Sequence, residues 1–288
     1  MLCLSALDVH LPIVSDFTFS ASANAAYWAC KQFTVGDINP KTFNLSLKKL
    51  PDDIDGVLPT HVFGNPCECV KLRELCEPEN IPLIYDAAHA HGATFNGNPI
   101  GDYGTASVFS MSPTKQVTSG EGGMIVTKDK ELADKLRILR NYGTEAGYEQ
   151  FNPGLNARMS ECHAIFGLES LSRFWPNHSK RLALIEQYLS HFEPGMVQKI
   201  TPKAQHAWKD FALFIGDNRD KVAEALTKRG IESKQYFKPI SSLASYKSFL
   251  KPQSHAYWTY RRIIQLPLHV NMMLQDVDRV CEIVEGTE

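Results

Sequence analysis

Directly after the short apolar run Ile81-Pro-Leu-Ile-Tyr85 stands Asp86-Ala-Ala-His-Ala-His-Gly92. An apolar run of that length reads as a central strand covered on both faces. In open α/β sheets ligands bind at the carboxyl ends of strands, so an acid there is well placed for chemistry. Standing alone, such an aspartate would cap a turn. Here two small alanines follow it, leaving room for a flat group, and His89 comes three residues on. A second stretch, Ser110-Met-Ser-Pro-Thr-Lys115, leaves another apolar run and leads into Gly120-Glu-Gly-Gly123. Taken alone Lys115 is a surface residue, as lysines usually are. Between a buried strand and a glycine-rich turn that re-enters a strand, it points into the same crevice as Asp86. Burial beside a positive charge lowers an ammonium pKa, as an amine that forms a Schiff base requires. The third stretch, Gly154-Leu-Asn-Ala-Arg-Met-Ser-Glu161, is a loop entering a helix. It is either a plain capped loop or, through Asn156 and the free N–H groups of the helix start, a place for phosphate.

The elements that must position these residues alternate between strand and helix patterns, which predicts an α/β fold with a largely parallel sheet. Gly56–Phe63, Ile81–Tyr85, Ala106–Met111 and Met124–Thr127 read as strands, and Cys67–Glu77 as a helix ended by Pro78. From Asp129 to Tyr142 the period changes: Leu132, Leu136 and Leu139 recur at helical spacing, with Asp129 as N-cap and Gly143 closing the end. A helix from Ser160, as N-cap, to about Phe174 follows. After Trp175 come an amphipathic helix (Leu182, Ile185, Leu189), a strand at Ala212–Ile215, a helix at Arg219–Arg229 closed by Gly230, and a last helix at Gln275–Glu285. The shift in character places a boundary near Trp175, with residues 1–175 as a large domain and 176–288 as a smaller α/β domain.

Composition removes several functions. With 30 Lys and Arg against 32 Asp and Glu in 288 residues, there is no broad basic face for nucleic acid and no polybasic patch for a membrane. Met1 to Leu7 lacks the basic start of a signal peptide, and no apolar run approaches the roughly 20 residues that span a bilayer. Seven scattered cysteines read as reduced thiols of a cytoplasmic protein. Cys67, Cys69 and Cys76 lie close to His61, yet their spacing is not that of a zinc knuckle, and they are read as structural thiols with no metal.

Together these stretches resemble the DegT/DnrJ/StrS family of sugar aminotransferases, pyridoxal-phosphate enzymes of fold type I. The similarity runs through almost the whole chain, from Asp16-Phe-Thr-Phe-Ser-Ala-Ser-Ala-Asn24 through Thr60-His-Val-Phe-Gly64 and the three stretches above to Gln265-Leu-Pro-Leu268. Asp-Ala-Ala-x-Ala-His-Gly combined with Pro-Thr-Lys and Gly-Glu-Gly-Gly is far more specific than any single piece. The resemblance implies a large cofactor-binding domain with a mostly parallel central sheet and a small C-terminal domain. It implies that Lys115 holds pyridoxal 5'-phosphate as a Schiff base and shuttles the proton, and that Asp86 pairs with the pyridinium nitrogen. His89 lies near the cofactor's phenolic oxygen or its ring face, Phe19 stacks on the ring, and Ser110 hydrogen-bonds the phosphate. Asn156 reaches the phosphate of a neighbouring subunit's site, which makes a homodimer with shared sites. An amino acid, usually glutamate in this family, would load the cofactor, and nitrogen would pass to a keto-sugar on a nucleotide diphosphate. A related branch of dehydratases has histidine where this chain has Lys115, so the resemblance is to the aminating branch. Arg140-Asn-Tyr-Gly143 and Gln235-Tyr-Phe-Lys-Pro239 are reminiscent of enzymes that aminate C4 of a 4-keto-6-deoxyhexose. Family members usually carry a longer segment ahead of Phe17-Thr-Phe19, with a Gly-Thr turn that donates N–H groups to the phosphate. Against that pattern the chain is read as N-terminally short, with loose cofactor binding expected. The alternative reading is a truncated, weakly active homologue that acts as a binding protein.

Overall fold

The computed structural model describes residues 1–145, 149–150, 152–249 and 252–287. Its strands are short: β1 (Pro12–Ser15), β2 (Thr34–Gly36), β3 (Gly56–Leu58), β4 (Ile84–Asp86), β5 (Thr94–Phe95), β6 (Asn98–Pro99), β7 (Ala106–Ser110), β8 (Gly123–Val126), β9 (Ala204–Gln205), β10 (Phe211–Phe214) and β11 (Ile263–Leu266). Between them run the helices α1 (Leu2–Ala6), α2 (Ser20–Cys30), α3 (Cys69–Cys76), α4 (Lys130–Leu139), α5 (Glu161–Ser172), α6 (Phe174–His191), α7 (Arg219–Lys228), α8 (His255–Tyr260) and α9 (Leu274–Glu285).

Strands β2, β1 and β3 pair in parallel, as do β4 and β7, while β8 adds an antiparallel edge. Parallel bridges Val57–Leu83 and Thr60–Asp86 join the two sets into one layer ordered β2-β1-β3-β4-β7-β8. The central strands are buried on both faces, which explains why they read as unbroken apolar runs. On one face α3 packs through Leu72 and Cys76 on Val57, Leu83 and Tyr85. On the other α1, α2 and α4 pack through Leu4, Ala23, Leu132 and Leu136 on Val14 and Ile84. β5, β6 and β9 form a small antiparallel sheet of their own.

The C-terminal part gathers a separate core around the antiparallel pair β10–β11, with Leu184 and Tyr188 of α6, Val222 of α7, and Val277, Val280 and Val284 of α9. The expected boundary at Trp175 falls in the first turn of α6. Phe174, at the start of that helix, packs with Met111 and Val117 beside the sheet, whereas Leu184 and Ile185 enter the C-terminal core. An aromatic cluster of Phe17, Phe43, Phe63 and Phe237 binds the two parts together.

Two helix starts follow their local sequence closely. The Asp129 carboxylate accepts from Leu132 N and the Ser160 hydroxyl from His163 N, caps worth about 1 kcal/mol each. The strand expected to run from Gly56 to Phe63 is shorter. It stops at Leu58, and the chain turns at Phe63 and Gly64, whose φ angles of 58° and 95° no strand can hold. Gly64 is required there, because a Cβ would sit 2.5 Å from the carbonyl oxygen of His89. Pro78 lies inside a short 3-10 turn that follows α3. All seven cysteines are free, and burial pushes the Cys67 thiol well above the usual range. Among the described residues no helix is long and apolar enough to cross a membrane, and no cluster of His, Cys, Asp or Glu could hold a metal.

Candidate active site

Asp86 is the last residue of β4, and its backbone is locked to the neighbouring strand by bonds from Asp86 N to Pro59 O and from His61 N to Asp86 O. Its carboxylate accepts twice, Oδ2 from the Ser22 hydroxyl at 2.6 Å and Oδ1 from Ala88 N at 3.0 Å. Ser22 lies 3.1 Å from Thr18 Oγ1, which lies 2.8 Å from Thr60 Oγ1. A carboxylate only accepts, so Ser22 spends its single proton on Asp86. Thr18 must then donate to Ser22, and Thr60 to Thr18. The strand end is thus a one-way chain of hydroxyls directed at one acid.

Lys115 follows β7 on a tight loop. Lys115 N bonds to Ser112 O, Ser119 N to Met111 O and Met111 N to Gly122 O, returning the chain at once into β8. Gly120, at φ 79°, makes the reversal. Among the described residues the Lys115 amine has no hydrogen-bond or ion-pair partner. Burial holds its ammonium below the ordinary lysine value, with help from nearby Lys209, while Asp86 and Asp210 pull the other way.

Asp86 and Lys115 face one cleft of about 580 Å³, which Phe19, His89 and Ser110 also line, together with Ala88, Val108 and Phe237. Ser110 Oγ lies 3.3 Å from Ser112 Oγ and accepts from Ser112 N. Phe19 stands at the N-cap of α2, 62% exposed, its ring 6.5 Å from that of Phe237. His89 stacks on Phe63 and is buried as the neutral imidazole, burial drawing its pKa to about 3. Of the two alanines that follow Asp86 only Ala88 reaches the cleft. Ala87 is fully buried in the core beneath.

Asn156 is not among the residues that the fold brings together. Its neighbours Leu155 and Ala157 line the cleft, but Asn156 pairs with Asn141 and its side chain accepts from Arg158 Nε on the exposed surface. Sequence reasoning also passed over several residues. Ser22, Thr18 and Thr60 were inside quoted motifs, but nothing local distinguishes the hydroxyl that reaches Asp86. His91, within the Asp86 motif, is buried against Phe109. Lys209 and Asp210 carry no motif, yet Asp210 Oδ2 lies 3.8 Å from His89 Nδ1.

A profile of the DegT/DnrJ/EryC1/StrS aminotransferase family matches residues 1–285. The chain is 30% identical to a GDP-perosamine synthase of Caulobacter vibrioides, over 93% of its own length and 76% of that protein. It is 29% identical to the spore coat polysaccharide biosynthesis protein SpsC of Bacillus subtilis, over 94% and 77%. Among solved structures, DesV of S. venezuelae, crystallised with a ketimine intermediate, superposes with a TM-score of 0.92 at 28% identity, covering 100% of this chain and 81% of that one.

Proposed function

The chain belongs to the DegT/DnrJ/EryC1/StrS aminotransferase family, and from that premise we propose that it transfers an amino group from an amino acid, glutamate being the expected donor, to a nucleotide-linked keto-sugar. It is a pyridoxal-phosphate enzyme of fold type I. Its similarity to GDP-perosamine synthase and SpsC supports a role in cell-surface polysaccharide or deoxyaminosugar biosynthesis.

The observation that carries the reading is the convergence of Lys115 and Asp86 on one cleft. The donor set fits pyridoxal phosphate: an acid with fixed donors behind it, an amine without a partner, a hydroxyl beside it, and apolar walls from Val108 and Phe237. When bound, the cofactor supplies an aldehyde for covalent attachment and a cationic ring that takes up electrons from the donor's broken C–H bond. Lys115 Nζ is the attachment point and, once released, the base that takes the donor's α-proton. Its lowered pKa favours the free amine this needs. Asp86 holds the positive ring nitrogen, with Ser22 and Ala88 fixing the direction of its lone pairs. Ser110 Oγ is placed to donate to phosphate in exchange for its contact with Ser112. Phe19 would stack on the ring, and His89 would stand near its phenolic oxygen or its face.

The reading extends to a homodimer with shared sites. α5 starts five residues after Asn156 and exposes Ile165 (64%), Phe166 (66%) and Leu168 (69%), a patch that a second copy of the chain would cover. Asn156, turned away from its own cleft, is then free to serve the partner's.

The test is amination of a nucleotide-linked 4-keto-6-deoxyhexose with ¹⁵N-glutamate, alongside absorbance of the bound cofactor. The protein as purified with pyridoxal phosphate is expected to show a visible band that borohydride fixes onto the Lys115 peptide. Lys115→Ala should lose the band and the turnover while keeping its circular dichroism. Near-normal turnover by that variant would end this assignment.

A further inference from the structure

His89 packs against the rings of Phe63 and Phe237, with centroids 6.3 and 5.7 Å away, and those two rings stack on each other at 5.4 Å. Packing alone leaves open which ring nitrogen carries the proton. The segment that approaches Nδ1 comes from far along the chain and is rigidly tied down. Ala207 N bonds to Gly64 O, Lys209 N to Phe63 O, and the buried Arg181 guanidinium donates to the carbonyls of Lys209 and Leu268. The segment ends in Asp210, whose Oδ1 takes a bond from Lys209 Nζ at 3.1 Å. Its Oδ2 is buried and faces His89 Nδ1 at 3.8 Å, and among the described residues neither atom has another partner. That separation is about 0.8 Å longer than a hydrogen bond, a gap that a small turn of either side chain closes.

We propose that Asp210 is a positioning residue for His89, its Oδ2 accepting a hydrogen bond from Nδ1–H and leaving Nε2 as a bare acceptor for the cleft. Burial would by itself raise the Asp210 carboxyl, but the positive charges of Lys209 and Arg181 outweigh it and hold the group below the usual carboxylate range. A carboxylate can only accept. His89, neutral in its buried place, has a single N–H to offer, and Nδ1 is the nitrogen with an acceptor in front of it. An Nε2 without a proton can only accept, so it would serve a protonated phenolic oxygen of the cofactor and oppose an ionised one. Of the two placements that the family resemblance allows for His89, this tautomer permits the ring face, and the phenolic oxygen only where that oxygen carries its proton. That second step rests on the reading that the cleft holds pyridoxal phosphate, whereas the tautomer does not.

The experiment is ¹⁵N NMR of histidine-labelled, cofactor-free protein, with His89 identified by its loss in His89→Gln. Nδ1 is expected to be protonated and Nε2 bare. Asp210→Ala should move the proton to Nε2. Asp210→Asn, which keeps an acceptor oxygen, should retain it on Nδ1. A wild-type His89 protonated on Nε2, or a tautomer indifferent to Asp210→Ala, overturns the proposal. Should Asp210→Ala fail to fold, the wild-type spectrum decides alone. For the second step, pyridoxal phosphate titrated by absorbance should bind about tenfold more weakly to Asp210→Ala and nearly normally to Asp210→Asn. A cofactor band that survives in Lys115→Ala would remove the cleft reading and the ring-face placement with it, while the spectrum of the cofactor-free protein would still judge the Nδ1 contact.

Discussion

Asp86 draws its character from what stands behind it. Two donors, Ser22 Oγ and Ala88 N, fix the carboxylate at the strand end, and the hydroxyl chain from Thr60 through Thr18 can run only toward it. In the role proposed for Asp86, removing the acid would leave the cofactor's cationic nitrogen without a partner in a desolvated place, a loss on the order of 3–5 kcal/mol. Asp86→Ala is therefore expected to be nearly inactive, and Asp86→Glu to retain part of its turnover. Ser22→Ala is the subtler probe. A hydrogen bond to a charged group is worth about 1.5–3 kcal/mol, so cofactor affinity should fall roughly tenfold or more. Ser22→Thr, which keeps the hydroxyl, should lose less. Absorbance titration measures both, and equal affinities for Ser22→Ala and the parent would show that the hydroxyl chain does not act on the site.

The C-terminal elements are held partly by charge. His191, in the last turn of α6, meets Asp278 through Nε2 at 3.0 Å and Glu285 through Nδ1 at 3.2 Å, both on α9. The hydrogen bond that His191 donates to Asp278 is the main reason that its pKa lies above the ordinary histidine value, with Glu285 adding to it while burial pulls the other way. A raised folded-state pKa means that the folded form holds the proton more tightly than the unfolded chain. The stabilisation is thus fully present below about pH 6.5 and is lost as pH rises through the folded-state value. Melting temperatures of wild type and His191→Gln are expected to differ at pH 6 and to converge at pH 8. A difference that is the same at both values would mean that His191 contributes by packing alone. The effect should be small beside that of α9 itself, whose Val277, Val280 and Val284 fill the C-terminal core.

At the scale of the whole molecule, the position of Asn156 outside its own cleft and the apolar face of α5 lead to one expectation. Subunits carrying Lys115→Ala and subunits carrying Asn156→Ala should each be inactive. Mixed under conditions that exchange subunits, they should regain part of the parent turnover, because one site of the mixed dimer has both residues intact. Mass spectrometry of the mixture checks that exchange took place. No recovered activity in proven mixed dimers of two inactive parents would count against sites shared between subunits.

Much of this was determined by residues close together in the chain. Caps act over three residues, so Asp129 and Ser160 mark the starts of α4 and α5 by themselves. Apolar runs reveal buried strands, and an acid or a lysine just past such a run already lies at the strand end, which is why Asp86 and Lys115 were legible in the sequence; His89 and Ser110, whose roles only the family resemblance implied, line the same cleft. Folding decided what depends on the chain's return. β3 stops at Leu58 and the chain turns at Gly64, where a Cβ would sit 2.5 Å from the His89 carbonyl oxygen, and the Cβ direction at each step sends Ala87 into the core and Ala88 to the cleft. The choice of Ser22 among neighbouring serines, and the approach of Asp210 to His89, follow from packing between distant segments. Such contacts leave no local trace, because their energy comes from groups that are neighbours only once the apolar core has closed around them.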